Sequence, residues 1–243
     1  MATERLTIPL AGQSVDVARP GEWSRDWTDA FTDARLRGAV YASAKRALDV
    51  AAAVTLLVLL LPLLLVVTLA IRLESDGPVL YRAERVGRYG RPFRVAKFRS
   101  MRSGCDSAPH MAYVRSLMRE ESAPYALYKV PDDARITRVG RILRTTSLDE
   151  LPQLWNVLRG EMSLVGPRPD VPYAVAEYGD GLHRRLLVKP GITGLWQVSG
   201  RSRLSLTEMY RLDLVYVSQA SLWLDLGILA RTVPVVFGRS GAA

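Results

Sequence analysis

The longest apolar stretch of the chain runs from Val50 to Ile71 and contains no charged residue. About 22 residues is enough for a membrane helix, and a soluble helix rarely lacks a polar face over so long a run. Pro62 lies near the middle, where it removes a backbone hydrogen bond and clashes with the carbonyl of Val58. The pattern therefore predicts a kinked helix that enters a membrane.

Both flanks of this stretch are basic. Cytoplasmic flanks of membrane segments carry an excess of Lys and Arg, so two basic flanks favour a re-entrant hairpin that returns to its starting face. On the residues alone, a kinked spanning helix remains an equal alternative. The basic block beside the stretch also attracts anionic phospholipid headgroups. Its members are Arg35, Arg37, Lys45 and Arg46 before the stretch, and Arg72, Arg82, Arg85, Arg88 and Arg91 after it.

The remaining pattern predicts a mostly helical α+β fold with short strands. We divide the chain into a polar, poorly ordered extension (1–38), the membrane hairpin (39–73) and a globular, membrane-associated domain (74–243). The two helices predicted at the end of the chain, 205–219 and 222–237, are expected either to pack in the core or to lie as amphipathic helices at the membrane interface. The domain is predicted to contain strands near 79–82 and 93–98, a short strand before the "GPRPD" turn, helices at 108–122, 137–144, 147–159, 171–178, 205–219 and 222–237, and a loop at "VKPGITGLWQVSGRS".

Composition limits the classes of partner and of catalytic group that the chain can use. The formal net charge of +9 over 243 residues points to an anionic partner: nucleic acid, anionic lipid or a phosphorylated ligand. A single cysteine, Cys105, excludes an intrachain disulfide, and His110 and His183 are the only histidines. Carboxylates are therefore the expected acid–base or nucleophilic groups. The sequence has no P-loop or G-x-G-x-x-G motif, so we expect no ATP or dinucleotide binding by those routes. The long apolar run and the lack of a recognisable nucleic-acid module predict that nucleic acid is not the partner.

The stretch "TTSLDELPQ" places Asp149 and Glu150 side by side. Ser147 and Glu150 have the spacing of a helix capping box, and Asp149 would lie favourably near a helix N-terminus. A carboxylate at such a position also stays ionised, as a covalent nucleophile must. For this pair of carboxylates, a structural role at a helix N-terminus and a chemical role as a nucleophile are both open at this point.

The "GPRPD" turn holds Arg168 between Pro167 and Pro169. The prolines fix the backbone, and arginine binds phosphate bidentately. For a carboxylate to attack a phosphate, a cation must offset their repulsion, and Mg²⁺ does so with carboxylate and phosphate oxygens. The two motifs together favour phosphoryl chemistry.

Several stretches in this order resemble the bacterial sugar transferase family, the monotopic phosphoglycosyl transferases. The resemblance extends from about residue 45 to about residue 232. The stretches are "KRALDV", the apolar run with its proline, "FRVAKFRSM", "TRVGRILRTTSLDELPQLWNVLRGEMSLVGPRP", "KPGITGLWQVSGR" and "YRLDLVYVSQASLWLDLGIL".

The resemblance implies transfer of a sugar 1-phosphate from a UDP-sugar to polyprenol (undecaprenyl) phosphate with release of UMP, which begins surface glycan or exopolysaccharide assembly. It implies that Asp149 forms a covalent phosphosugar intermediate and that Glu150 assists in metal placement or proton handling. It also implies Mg²⁺ at Asp149 and Glu150, and contact of Pro167, Arg168 and Pro169 with the nucleotide. A re-entrant hairpin would place the chain on the cytoplasmic face of the bacterial inner membrane.

Further residues complete the expected site. Candidates for phosphate or headgroup binding are Lys97, Arg99, Arg141, Arg144 and Arg201, and the hairpin residues are Lys45, Arg46, Asp49 and Pro62. The break here is Leu61–Pro62, where the family often has Ser–Pro. A homodimer is compatible with the sequence, but no residue requires it. The alternatives are a catalytically inactive membrane-anchored adaptor in the same pathway and, more remotely, a basic nucleic-acid-binding protein.

Overall fold

The computed structural model describes residues 6–10, 13–17, 38–102, 135–178 and 181–237. The predicted helix at 108–122 lies outside these residues. The strands are β1 (Leu6–Leu10), β2 (Gln13–Val17), β3 (Leu80–Val86), β4 (Pro92–Phe98), β5 (Ser163–Val165) and β6 (Gly191–Thr193). The α-helices are α1 (Gly38–Leu59), α2 (Leu61–Glu74), α3 (Arg138–Thr146), α4 (Gln153–Arg159), α5 (Pro172–Val175), α6 (Leu195–Ser199), α7 (Leu206–Gln219) and α8 (Leu222–Phe237).

The apolar stretch forms two helices that meet at a sharp bend. Helices α1 and α2 are bent by 63°, and Pro62 lies in the first turn of α2, where its missing N–H costs least. No single helix of the described residues is long and apolar enough to cross a membrane, but this bent pair is, by length and composition. The predicted break at Pro62 is therefore confirmed.

Polar residues of α1 attach the hairpin to the rest of the protein. Arg46 donates to the carbonyls of Val157 (2.6 Å) and Leu158 (2.7 Å), which lie near the C-terminus of α4. Asp49 is 3% exposed and accepts from the Ser163 hydroxyl (3.0 Å) and the Leu164 amide (2.9 Å). These contacts satisfy carbonyls at the C-terminal end of α4 and the amide of the central residue of β5.

A second attachment joins α1 to α8 through Asp225. The carboxylate of Asp225 is 1% exposed and accepts from Lys45 (2.8 Å), from the Tyr41 hydroxyl (2.9 Å) and from the Tyr216 hydroxyl (2.7 Å). A buried carboxylate is tolerated only when it is paired and hydrogen-bonded in this way. The predicted hairpin residues Lys45, Arg46 and Asp49 thus act as anchors.

The core lies where the hairpin, the sheets and the C-terminal helices meet. Strands β3 and β4 form an antiparallel pair, and β5 and β6 form a short parallel pair. The core includes Ala53, Val95, Val157, Met162, Leu195, Tyr216 and Ile228, each at most 1% exposed. In α7, Tyr210, Leu214 and Tyr216 are buried as the core-packing prediction expects, whereas Trp223 on α8 is 82% exposed.

Four predictions of local structure need correction. The predicted helix at 147–159 is a 3₁₀ turn (Leu148–Glu150) followed by the shorter α4. The predicted loop at "VKPGITGLWQVSGRS" contains β6 and α6, and the predicted helix at 171–178 shortens to α5. Inside the predicted polar extension, β1 and β2 form an antiparallel pair.

Candidate active site

The carboxylate of Glu150 lies between two cations from distant parts of the chain. Lys97 on β4 donates to Glu150 Oε1 at 2.9 Å. Arg168 donates through Nη2 to Oε1 at 2.6 Å and through Nη1 to Oε2 at 3.2 Å. This bidentate geometry is the strong form of the arginine–carboxylate pair. The structure thus brings together Lys97, Glu150 and Arg168 as the sequence predicts.

Electrostatics keep this cluster charged. Burial alone would raise the pKa of Glu150, but Arg168 and Lys97 outweigh it and hold that pKa well below its ordinary value. Burial lowers the pKa of the Lys97 ammonium, whereas Glu150 and Asp149 oppose that shift. Glu150 therefore remains a carboxylate at neutral pH and can hold Lys97 and Arg168 as cations.

The capping-box prediction for Ser147 and Glu150 is wrong. Ser147 ends α3 in a left-handed conformation (φ 59°), and its side chain makes no capping hydrogen bond to the 3₁₀ turn that follows. The Glu150 carboxylate bonds instead to Lys97 and Arg168. A capping box does occur at Ser205 and Glu208, where the serine hydroxyl accepts from the Glu208 amide at 3.3 Å.

Asp149 lies in the 3₁₀ turn directly before Glu150, and α4 begins only at Gln153. Its side chain is half-buried, and its negative charge acts on Lys97. Because α4 starts after Asp149, the helix-terminus argument for this carboxylate loses its geometric basis. Its charge partner Lys97 lies on β4, which makes this a tertiary contact.

The other predicted basic residues fall in different places. The guanidinium of Arg201 interacts electrostatically with Glu150 and Arg168 and donates to the Val235 carbonyl at 3.1 Å. Arg144 lies in the last turn of α3, the helix that leads into the Asp149 turn, and Arg141 is exposed on the same helix. Arg201 therefore interacts with the Glu150 cluster electrostatically. Arg144 is close in sequence to Asp149 and Glu150.

Arg99 has structural partners. Its side chain is 6% exposed and donates to carbonyls after α2, at Ser75 (2.6 Å) and Asp76 (2.8 Å). Those bonds satisfy the open C-terminal end of α2. Its predicted role in phosphate binding finds no support in this geometry.

Two arginines near the "GPRPD" turn were not among the predicted site residues. Arg85 at the end of β3 interacts electrostatically with Arg168 and Asp170, and burial lowers its pKa. Arg185 is buried between Asp170 (2.6 Å) and Asp213 (2.7 Å). Asp213 within the apolar run "RLDLVY" was the available signal, because a lone acid there requires a buried partner.

One guanidinium serves two carboxylates in this buried cluster. Burial would raise the pKa of Asp170, but Arg185 lowers it below the ordinary value. Burial raises the pKa of Asp213 to about 7, although Arg185 opposes that shift. The single positive charge of Arg185 thus secures the ionisation of Asp170, and Asp213 titrates near neutrality.

The residues present fit the predicted magnesium site with one protein ligand instead of two. The described residues contain no group of three His, Cys, Asp or Glu side chains that could hold a metal. Both oxygens of Glu150 accept from cations, so its predicted role as a metal ligand is not supported. Mg²⁺ needs only one or two protein carboxylates when substrate phosphates and water supply the remaining ligands. Asp149 would hold it on those terms.

Comparison with known proteins gives a consistent set of relatives. A family model described as bacterial sugar transferase matches residues 40–239. The chain is 41% identical over 200 residues to the galactosyl transferase CpsE of Streptococcus agalactiae serotype III (strain NEM316), an alignment covering 82% of this chain and 43% of that protein. It is 45% identical over 170 residues to the undecaprenyl-phosphate galactose phosphotransferase of Salmonella typhimurium, covering 68% of this chain and 35% of that protein.

A third relative is more similar in length. The UDP-glucose:undecaprenyl-phosphate glucose-1-phosphate transferase of Caulobacter vibrioides is 46% identical over 202 residues, covering 78% of this chain and 68% of that protein. The chain spans less than half the length of the Streptococcus and Salmonella relatives. The matched region contains the hairpin and the cluster around Glu150.

Proposed function

The chain belongs to the bacterial sugar transferase family, and from that premise we propose that it moves a sugar 1-phosphate from a UDP-sugar to undecaprenyl phosphate and releases UMP. The observation that carries the proposal is the position of Asp149 beside Glu150, whose carboxylate is held by Lys97 and Arg168. The relatives named for UDP-glucose and for undecaprenyl phosphate support this choice of donor and acceptor. The product would begin exopolysaccharide assembly.

In the first step, a carboxylate oxygen of Asp149 attacks the phosphorus that bears the sugar. The bond from that phosphorus to the UMP oxygen breaks, and UMP leaves with the electron pair. Asp149 then carries a covalent phosphosugar. Arg168 and Lys97 are held by Glu150, the residue next to Asp149. Two cations beside the nucleophile would stabilise charge on the diphosphate during the attack.

In the second step, a phosphate oxygen of undecaprenyl phosphate attacks the same phosphorus. The bond to Asp149 breaks, and the carboxylate is restored. Mg²⁺ bound at Asp149 would neutralise phosphate charge and so reduce repulsion between the anions. Glu150 keeps Arg168 and Lys97 oriented through both steps.

The hairpin explains how a soluble donor can meet a lipid acceptor. Helix α2 has 14 residues and is therefore about 21 Å long, shorter than the ~30 Å hydrocarbon core of a bilayer. Many large apolar residues of the hairpin are exposed, as expected of a surface that contacts lipid. They are Val54, Leu56, Val58, Leu59, Leu61, Leu65, Val66, Leu69 and Leu73.

We further propose that the hairpin is re-entrant, which would put both of its flanks on the cytoplasmic face of the inner membrane. Ser14→Cys in a Cys105→Ser background, and the native Cys105 alone, supply one thiol on each side of the hairpin. We expect a membrane-impermeant maleimide to label both only after the inner membrane is permeabilised. A spanning helix would leave one of the two labelled in intact spheroplasts.

The activity is tested by UMP release from a panel of UDP-sugars. The reaction contains the full chain, undecaprenyl phosphate and Mg²⁺, and the panel includes UDP-galactose, UDP-glucose and their N-acetylated forms. We expect release with at least one donor, and its loss when EDTA removes the metal. Release that is undiminished in EDTA would contradict the metal proposal.

The main competing function is a catalytically inactive membrane-anchored adaptor. It predicts no UMP from any donor, although the purified chain binds anionic vesicles. The full Lys97–Glu150–Arg168 arrangement favours the enzyme, because an adaptor has no need to hold two cations beside a carboxylate pair.

A further inference from the structure

The turn that presents Arg168 has few backbone donors of its own. Pro167 and Pro169 have no N–H, so hydrogen bonds that hold this segment must come largely from other elements. On one side, the Gly191 amide donates to the Pro167 carbonyl at 2.9 Å. At the centre, Nη2 of Arg185 donates to the Arg168 carbonyl at 3.0 Å.

Arg185 also holds the residue that closes the turn. Its Nη1 donates to Asp170 Oδ2 at 2.6 Å, and the Asp170 carbonyl accepts from the Val86 amide at 3.0 Å. The hydroxyl of Tyr178 donates to the same Asp170 oxygen at 2.6 Å. The Arg168 and Asp170 side of the turn is thus tied both to Arg185 and to the end of β3.

The guanidinium of Arg185 is itself fixed from α7. Asp213 accepts from its Nε at 3.0 Å and from its Nη2 at 2.7 Å, and the Tyr210 ring centroid lies 4.3 Å from its Cζ. The Arg185 side chain is 3% exposed. A planar guanidinium can reach two carboxylates and a carbonyl together, whereas a lysine ammonium is a single point charge.

These contacts form a continuous path to the reacting group. Asp213 fixes Arg185, Arg185 fixes the Arg168 carbonyl, and the Arg168 guanidinium holds Glu150 bidentately beside Asp149. Supporting hydrogen bonds of this kind orient the residues that contact substrate, and misplacement by about 1 Å can cost a hundredfold in rate.

We propose that Arg185 is a positioning residue that sets the Pro167–Arg168–Pro169 turn so that the Arg168 guanidinium meets Glu150 and the donor diphosphate. The part concerning the donor rests on the function proposed above. Arg185 makes no contact with Glu150 among the bonds described, and the direct bonded route between them passes through Arg168.

The kinetic test is a double-mutant cycle of Arg185→Lys and Arg168→Lys, measured as kcat/KM for the UDP-sugar. We expect about a tenfold loss from Arg185→Lys, about a hundredfold loss from Arg168→Lys, and little further loss in the double variant, because coupled residues are not additive. Arg184 and Arg185 are neighbours in a 3₁₀ helix (Leu182–Leu187), so Arg184→Lys is the matched control and should behave as wild type.

The distribution between KM and kcat separates positioning from a folding defect. A positioning role raises the donor KM of Arg185→Lys, whereas fewer folded molecules would lower apparent kcat and leave KM unchanged. Losses that multiply in the double variant, an unchanged KM, or wild-type kinetics in Arg185→Lys would each overturn the proposal.

A crystal structure of Arg185→Lys supplies a readout that does not depend on activity. We expect the distance from Arg168 Nη2 to Glu150 Oε1, 2.6 Å in the wild type, to lengthen or that bond to be lost. An unchanged bond would overturn the positioning role even if no UDP-sugar proved to be a substrate. Absence of UMP release with an altered bond would instead count against the proposed function alone.

Discussion

Asp149→Asn is expected to lose UMP release by at least about a thousandfold, because an amide cannot act as the covalent nucleophile. The substitution keeps the shape of the side chain and removes only its charge and nucleophilicity. The measurement is the initial rate of UMP release with the donor that wild type uses best. Asp76→Asn, on the exposed turn after α2, is the matched control and should retain wild-type activity.

Folding should survive this substitution. Asp149 is half-buried in a 3₁₀ turn and is not the residue that begins α4. We therefore expect the thermal midpoint of Asp149→Asn to lie within a few degrees of the wild type, as for most partly exposed substitutions. A large loss of activity at nearly unchanged stability would locate the effect in the chemistry.

Intact-protein mass spectrometry adds a direct test of the intermediate. Wild type incubated with the UDP-sugar and no acceptor should gain the mass of one sugar phosphate, and addition of undecaprenyl phosphate should remove it. Asp149→Asn should gain nothing. An adduct of equal yield in the variant would assign the nucleophile to another residue.

The hydrophobic pattern predicted the elements whose formation depends on local sequence. Helix α8 was predicted with its observed ends, and Ser205 begins α7 as a capping residue should. The break at Pro62 follows from a missing donor and a steric clash, both of which are local. Such elements can be predicted because their cause lies within a few residues.

The prediction of one helix at 147–159 was wrong because the cause of the observed structure lies far away in the sequence. Its pattern satisfies a capping box, but Lys97 and Arg168 offer Glu150 a stronger, charged partner than a backbone amide. The turn conformation of Ser147 then ends α3 and separates it from α4. Tertiary ion pairs from β4 and from the "GPRPD" turn decided this local structure, and no window of sequence contains them.

The candidate site shows the same division. Asp149, Glu150 and Arg168 were found because their motifs are contiguous, and Lys97 and Arg201 because they lie in stretches that resemble the family. Arg185 and Asp213 were missed as partners because they are separated along the chain and meet only in the folded core. Arg99, in contrast, has its basic charge committed to the end of α2.

Glu150→Gln is expected to lose both stability and activity, because it leaves two cations without their shared counter-charge. Side chains in this cluster are 16–31% exposed, so we expect a loss of about 2 kcal/mol, below the 3–5 kcal/mol typical of a fully buried pair. Urea unfolding at pH 7 measures it. Glu177→Gln, at an exposed position, should change stability by less than about 0.5 kcal/mol.

The activity of Glu150→Gln should fall by about a hundredfold, since the Arg168 guanidinium loses its bidentate partner. Glu150→Asp keeps the negative charge on a shorter side chain, so it distinguishes the effect of the charge from the effect of side-chain length. We expect it to recover most of the stability and little of the activity. Recovery of full activity in Glu150→Asp would show that charge alone suffices.

The pH dependence of this stability difference follows from the sign of the Glu150 shift. Its pKa is lower in the folded protein than in the unfolded chain, so the folded state binds fewer protons at this site. The contribution is complete above the unfolded pKa of about 4.3 and is lost as the pH falls through the folded pKa. The gap between wild type and Glu150→Gln should therefore be constant from about pH 6 to pH 8 and narrow below about pH 4. A gap that widened on acidification would mean that Glu150 is protonated in the folded protein, and Lys97 and Arg168 would then need another anion to hold them.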